Sequence, residues 1–272
     1  MRIQYVNESI QGASHKIIDK KCQDYNEVRL IDPKIVVAAV ADGHGSEKCR
    51  FSDIGAKLAV NVFCETIESV WEVSEHNYEK MISNLSEMNG RVKEQIIKLF
   101  HRKWKARVDK AFDKIKLDYE DLKELKEIDY ELFGTTFLGI VITGEGIFAL
   151  QIGDGDIVYV NENEASFVID PPKFLGTETY SLSNDKPWQN AKTYFQKYEL
   201  DRMIPGMFMI STDGFSNSFV DNEQYFIACK DYFNTIKEYG AKAVQDNLKE
   251  WLEQTSTEGC GDDITLVGVF VD

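Results

Sequence analysis

With 272 residues, 31 of them basic and 46 acidic, the chain carries a formal net charge of −15. A chain this acidic is a poor general binder of phosphate backbones, which argues against nucleic acid as a primary partner. Its composition, 43% hydrophobic and 28% charged, is that of a folded domain, and no apolar run approaches the roughly 18 residues of a membrane span, so no membrane association is expected.

In chain order, the opening stretch MRIQYVNESIQGASHK has no apolar signal core. The five cysteines (Cys22, Cys49, Cys64, Cys229, Cys260) have no CxxC spacing. Together these point to a cytoplasmic protein with reduced thiols. No Pro/Gly/Ser-rich linker divides the chain, so one domain over 1–272 is expected. Short strands are predicted at Ile3–Val6, Val28–Ile31 and Ile35–Ala41. A helix follows over about Asp53–Val70, capped by Ser52 or Asp53. A longer helical region runs over about 77–116, with Met81, Leu85, Met88, Val92, Ile96 and Leu99 at helical spacing. Residues 101–128 are dense in charge and read as a solvated helical face, making 77–128 a charged helical region. Strands are then predicted over Thr135–Thr143, Gly146–Ile152 and Asp156–Asn161, the first two joined by the Thr143–Gly146 turn. Residues 170–193 read as a long loop, Met207–Ser211 as a strand, Val244–Leu252 as part of a helix, and Ile264–Phe270 as a last strand. Strands and helices come in blocks rather than in βαβ alternation, which indicates an α+β fold with antiparallel sheets.

One device recurs. The apolar strands IVVAAVADG, GIFALQIGDG and GMFMISTDG all stop at Asp-Gly, at Asp42, Asp154 and Asp213. Asp262-Asp263 precedes a fourth strand and Asp24 a fifth. Strand ends hold geometry well, Asp keeps its carboxylate close to the backbone, and Gly turns the chain sharply and exposes a carbonyl. Hard cations such as Mg²⁺ and Mn²⁺ take such oxygens. Any one Asp-Gly taken singly is more often a plain turn than a ligand.

In their order these pieces resemble the type 2C metal-dependent serine/threonine protein phosphatases over nearly the whole chain. Asp24, Asp42-Gly43-His44-Gly45, Gly134-Thr135-Thr136, Gly153-Asp154-Gly155, Thr212-Asp213-Gly214 and Asp262-Asp263-Ile264-Thr265 stand where that family has its motifs. The stretch GASHKIIDKKCQD with Glu178-Thr179-Tyr180 is similar to a bacterial branch. The resemblance implies a four-layer α-β-β-α sandwich, two antiparallel sheets flanked by helices, with a flap-like loop at 170–193. It implies two Mn²⁺ or Mg²⁺ ions and a weaker third: Asp42 and the Gly43 carbonyl as ligands, with Asp213 and Asp262, Asp24 acting directly or through water, and Asp154 at the third ion. A hydroxide bridging the pair would attack phosphoserine or phosphothreonine in line while His44 protonates the leaving oxygen. The partner implied is a phosphorylated protein that opposes a Ser/Thr kinase.

Two departures stand out. Asn217 replaces an acid the family often has four residues after the Asp213 position, and Asp19 replaces an arginine that grips phosphate. His15, Lys16, Lys20 and Lys21 are candidate substitutes, with His15 and Lys20 taken as substrate-binding residues. Thr135 and Thr136 read as β-formers that pack, and Trp188 either as a substrate contact or as an anchor of its own loop. The rival readings are an inactive homologue serving as a phospho-dependent binding module and a phosphatase of small metabolites.

Overall fold

The computed structural model describes residues 1–125, 127–172, 179–197 and 204–272. Strands are numbered in chain order. One antiparallel sheet runs β1 (Ile3–Ile10), β10 (Ile264–Val271), β9 (Gly206–Ser211), β6 (Asp156–Asn161), β7 (Ala165–Phe167). The other runs β2 (Tyr25–Asp32), β3 (Ile35–Ala41), β4 (Phe137–Thr143), β5 (Gly146–Ile152), β8 (Lys192–Lys197).

The unbroken apolar run of β3 follows from burial on both faces. Successive side chains point to opposite sides of a strand. Ile35, Val37, Ala39 and Ala41 pack in the core shared with α2 (Ser52–Val73), α3 (Tyr78–Asn89) and α4 (Lys93–Ile115). Val36, Ala38 and Val40 instead meet Ile210, Val267 and Val269 of the facing sheet. On the far side, α7 (Asn222–Tyr239) and α8 (Ala241–Glu258) close over Val6, Met207, Met209 and Leu266. The result is the expected α-β-β-α sandwich. Three short helices, α1 (Ala13–Ile17), α5 (Glu120–Lys123) and α6 (Asp213–Ser216), complete the helices of the described residues.

Several expectations need correction. The helical region over 77–116 is two helices, broken at Gly90. The break resets the buried face, so Ile97, Phe100, Trp104, Val108 and Phe112 are buried on α4 rather than a continuation of the Met81–Leu85–Met88 stripe. Residues 101–128 are therefore not wholly a solvated face: Trp104 and Val108 are fully buried, and the Trp104 indole N–H donates to the Gly55 carbonyl at 3.0 Å. The N-cap of α2 is Phe51, not Ser52 or Asp53. Ser52 lies inside the helix with its hydroxyl engaged by the Gln23 side-chain amide, which leaves it no role as a cap. The aromatic-rich α7 was not foreseen and is set off from α8 by Gly240 at φ +83°. The last part of the expected loop 170–193 forms a short 3₁₀ turn, Pro187–Gln189, and the start of β8. Residues 173–178, which include Glu178 of the family resemblance, lie outside the described residues. Among the described residues no helix is long and apolar enough to cross a membrane.

Candidate active site

Strand register gathers the five candidate aspartates. Tyr25 pairs with Ala41, so Asp24 and Asp42 flank the same end of one sheet. Ser211 pairs with both Leu266 and Asp156, so the chain just beyond β9 meets the chain just before β10 and β6 at the corresponding end of the other. The two ends open onto a cavity of about 1070 Å³ lined by Asp42, Gly43, His44, Asp154, Asp213 and Asp262. Asp24 lies behind this wall, only 7% exposed, and accepts a hydrogen bond from the Thr212 hydroxyl at 2.8 Å.

Asp42 is held through its backbone by the two threonines. Its N–H donates to Thr136 Oγ1 at 3.2 Å, and its carbonyl accepts from the Thr136 N–H and from Thr135 Oγ1, both at 2.8 Å. Both threonines are buried as expected, but their hydroxyls position an acid as well as packing. Gly43 is required at the next position, since an added Cβ would lie 2.7 Å from the Gln23 carbonyl oxygen and 2.8 Å from the Ser52 carbonyl carbon. Its N–H donates to the Gln23 carbonyl at 3.2 Å.

Gln23 and Asp263 escaped the sequence reading as site residues. The Gln23 side chain donates to the His44 carbonyl at 3.3 Å and to Ser52, which ties the DGHG turn to α2. Asp263 is 4% exposed. Its oxygens accept from the Gly12 N–H at 2.7 Å, the Gln23 N–H at 2.8 Å and His15 Nδ1 at 2.8 Å. Nothing in an Asp-Asp pair says which acid faces a cavity and which serves as a tether. Both line the cavity, but Asp263 is buried in its wall by its three donors and serves as the tether, whereas Asp262 is exposed.

The four candidate substitutes for the missing arginine separate. His15 lines the cavity. Lys20 sits at its rim, with Nζ donating to the Gly45 carbonyl at 2.9 Å. Lys16 pairs with Glu253 at 3.0 Å on the surface, and Lys21 is exposed. Asn217 lines the cavity and donates to Asp213 Oδ2 at 2.9 Å. Trp188 packs against His101 and beneath the Lys98 ammonium, which makes it an anchor of its own segment.

The electrostatics are those of crowded anions. Burial, followed by Asp24, Asp213, Asp262 and Asp154, pushes the Asp42 carboxyl well above the usual carboxylate range. Burial and then Asp263 do the same to Asp24. Asp213 is pushed up to about 6 by burial, then by Asp154 and Asp262. Burial lowers His44, against the opposing pull of the Asp154 and Glu131 carboxylates. No lysine or arginine lines the cavity among the described residues. Converging carboxylates without an ammonium or guanidinium among them are destabilised as anions unless a cation sits between them. Carboxylates with a backbone carbonyl are the donor set of Mg²⁺ and Mn²⁺, so these residues fit divalent ions.

The fold is shared with solved bacterial phosphatases. A serine/threonine phosphatase of S. agalactiae is 17% identical, with 99% of this chain and 100% of that one covered at a TM-score of 0.59. The serine/threonine phosphatase Stp1 of Staphylococcus aureus is 11% identical, with 99% and 94% covered at 0.61. The catalytic domain of the phosphatase PstP, in complex with two manganese ions, is 12% identical, with 99% of each chain covered at 0.54. Among curated protein sequences none matches. The family model described as protein phosphatase 2C matches residues 11–253. That match spans most of the chain, which belongs to the protein phosphatase 2C family and is by class a protein serine/threonine phosphatase.

Proposed function

We propose that the chain removes phosphate from phosphoserine and phosphothreonine of proteins, using two divalent cations held by Asp42, the Gly43 carbonyl, Asp213 and Asp262. The observation that carries this reading is the convergence of Asp42, Asp154, Asp213 and Asp262 on one cavity. Two such cations supply Lewis-acid activation of water and neutralise charge on the phosphoryl oxygens.

The chain's own residues do the rest. Thr135 and Thr136 fix the backbone of Asp42, so its carboxylate needs little reorganisation to serve as a ligand. Asp24, fastened by Thr212, supports the cluster from behind. Asp154 serves a third, weaker site, and the amide of Asn217 gives that site a neutral neighbour in place of an acid. His44 faces the leaving oxygen and donates the proton that a serine alkoxide needs. Lys20, at the cavity rim, is a cation placed to meet a bound phosphate. A cytoplasmic setting and a bacterial-type kinase–phosphatase pairing are consistent with this reading.

Manganese-dependent hydrolysis of p-nitrophenyl phosphate is the test. Wild type turns over, and Asp42→Asn loses activity by orders of magnitude while staying folded. Absence of turnover in wild type with manganese bound would replace the reading with a binding module. A phosphopeptide panel run against phosphorylated metabolites decides the substrate class.

A further inference from the structure

His15 is the group near the aspartate cluster that no carboxylate chemistry accounts for. It comes from α1, outside the acid-bearing strand ends, and reaches the cavity with 15% of its side chain exposed. Its Nδ1 lies 2.8 Å from Asp263 Oδ1. That oxygen also accepts from the Gly12 N–H, and the other accepts from the Gln23 N–H. A carboxylate so engaged can only accept, so Nδ1 must donate. In the neutral imidazole this fixes the tautomer and leaves the Nε2 lone pair free to bind a cation.

Nε2 faces Asp262 Oδ1 at 3.6 Å. That distance is too long for a hydrogen bond. It is close to what two donors of one ion require: at about 2.1 Å each, they stand about 3.0 Å apart in an octahedron and about 3.4 Å in a tetrahedron. The donor atoms of His15, Asp262 and Asp263 all lie within 4.8 Å of one another. Asp263, buried and with three of its roughly four acceptor sites taken by Gly12, Gln23 and His15, serves as the orienting group. A buried carboxylate holding one imidazole nitrogen while the other points at a second donor is the arrangement by which proteins orient a metal-binding histidine.

We propose that His15 Nε2 is a nitrogen ligand to a divalent cation shared with Asp262, oriented by Asp263. The proposal rests on the cation cluster described above and adds a ligand of different chemistry to it. Imidazole nitrogen favours first-row transition ions over Mg²⁺. The chain is accordingly a manganese- or iron-class phosphatase rather than a magnesium one, and His15 sets that preference.

The test is pulsed EPR of Mn²⁺ titrated into the metal-free protein. Wild type shows ¹⁴N modulation from a coordinated imidazole, which changes to the ¹⁵N pattern on labelling with ¹⁵N-histidine. His15→Gln abolishes it, whereas His44→Ala retains it. In direct titrations His15→Gln weakens Mn²⁺ at least tenfold and Mg²⁺ less than threefold, with circular dichroism reporting that the fold is kept. The labelled wild type needs no variant, so a misfolded substitution does not blunt the test. Bound Mn²⁺ without nitrogen coupling, or coupling that survives in His15→Gln, overturns the assignment. So does a rise in KM at unchanged Mn²⁺ affinity, which would make His15 a phosphate contact. If these appear while wild type still hydrolyses p-nitrophenyl phosphate, only the His15 assignment falls. If Mn²⁺ does not bind at all, the cation reading falls with it.

Discussion

Asp213→Asn offers a test that separates the stability of the site from its chemistry. In the metal-free protein Asp213 titrates at about 6 instead of 3.8, raised by burial, then by Asp154 and Asp262. The folded state therefore binds a proton that the unfolded state has released between pH 3.8 and about 6. Stability from this group is intact below the lower value, is lost as pH rises through the upper one, and stays lost at pH 7. At 1.36 kcal/mol per pKa unit the loss is roughly 3 kcal/mol, a ceiling because Asp213 is partly solvated. Asparagine removes the charge and keeps an oxygen for the Asn217 amide. Urea unfolding in EDTA at pH 7.5 should show Asp213→Asn more stable than wild type by about 1–3 kcal/mol, with the gap closing by pH 4. With saturating Mn²⁺ the order reverses, because only wild type gains the full binding term. If Asp213→Asn in EDTA is no more stable than wild type at pH 7.5, the picture of uncompensated crowded anions is wrong.

Two further outcomes follow from other residues. His44→Asn should lower turnover of a phosphoserine peptide by roughly 10²–10⁴-fold, and that of p-nitrophenyl phosphate far less, because a nitrophenolate leaves without a proton; equal losses on both substrates would remove His44 from the acid role. His101 is buried on α4 and titrates at about 4 instead of 6.5, chiefly through desolvation. The unfolded state therefore takes up a proton first as pH falls, and wild type should lose up to roughly 3 kcal/mol between pH 6.5 and 4. Thermal melts of His101→Gln should lack that component, and an unchanged acid slope would contradict it.

The sandwich was legible because its strands carry unbroken apolar runs. β3, β5 and β9 ended where the alternating burial of two packed faces required, within a residue of expectation. The motif aspartates were equally visible, since short acids followed by glycine stand out at the ends of such runs. α7 was hidden by aromatic residues that suit strand and helix alike, and the α3–α4 break by a single glycine in a helical pattern. Thr135 and Thr136 looked like packing, because β-propensity does not distinguish a buried hydroxyl bonded to Asp42 from one that is merely tolerated.

The sequence alone determined which residues carry oxygen chemistry and that each stands at a strand end, since both properties are local. Only the tertiary structure decided that Asp262 stands exposed in the cavity while Asp263, buried in its wall, binds His15, and that Lys20 stops at the rim. Adjacent residues of the same type share every local property. They are told apart only by which N–H groups the folded chain brings to them from far along the sequence, as Gly12 and Gln23 are brought to Asp263.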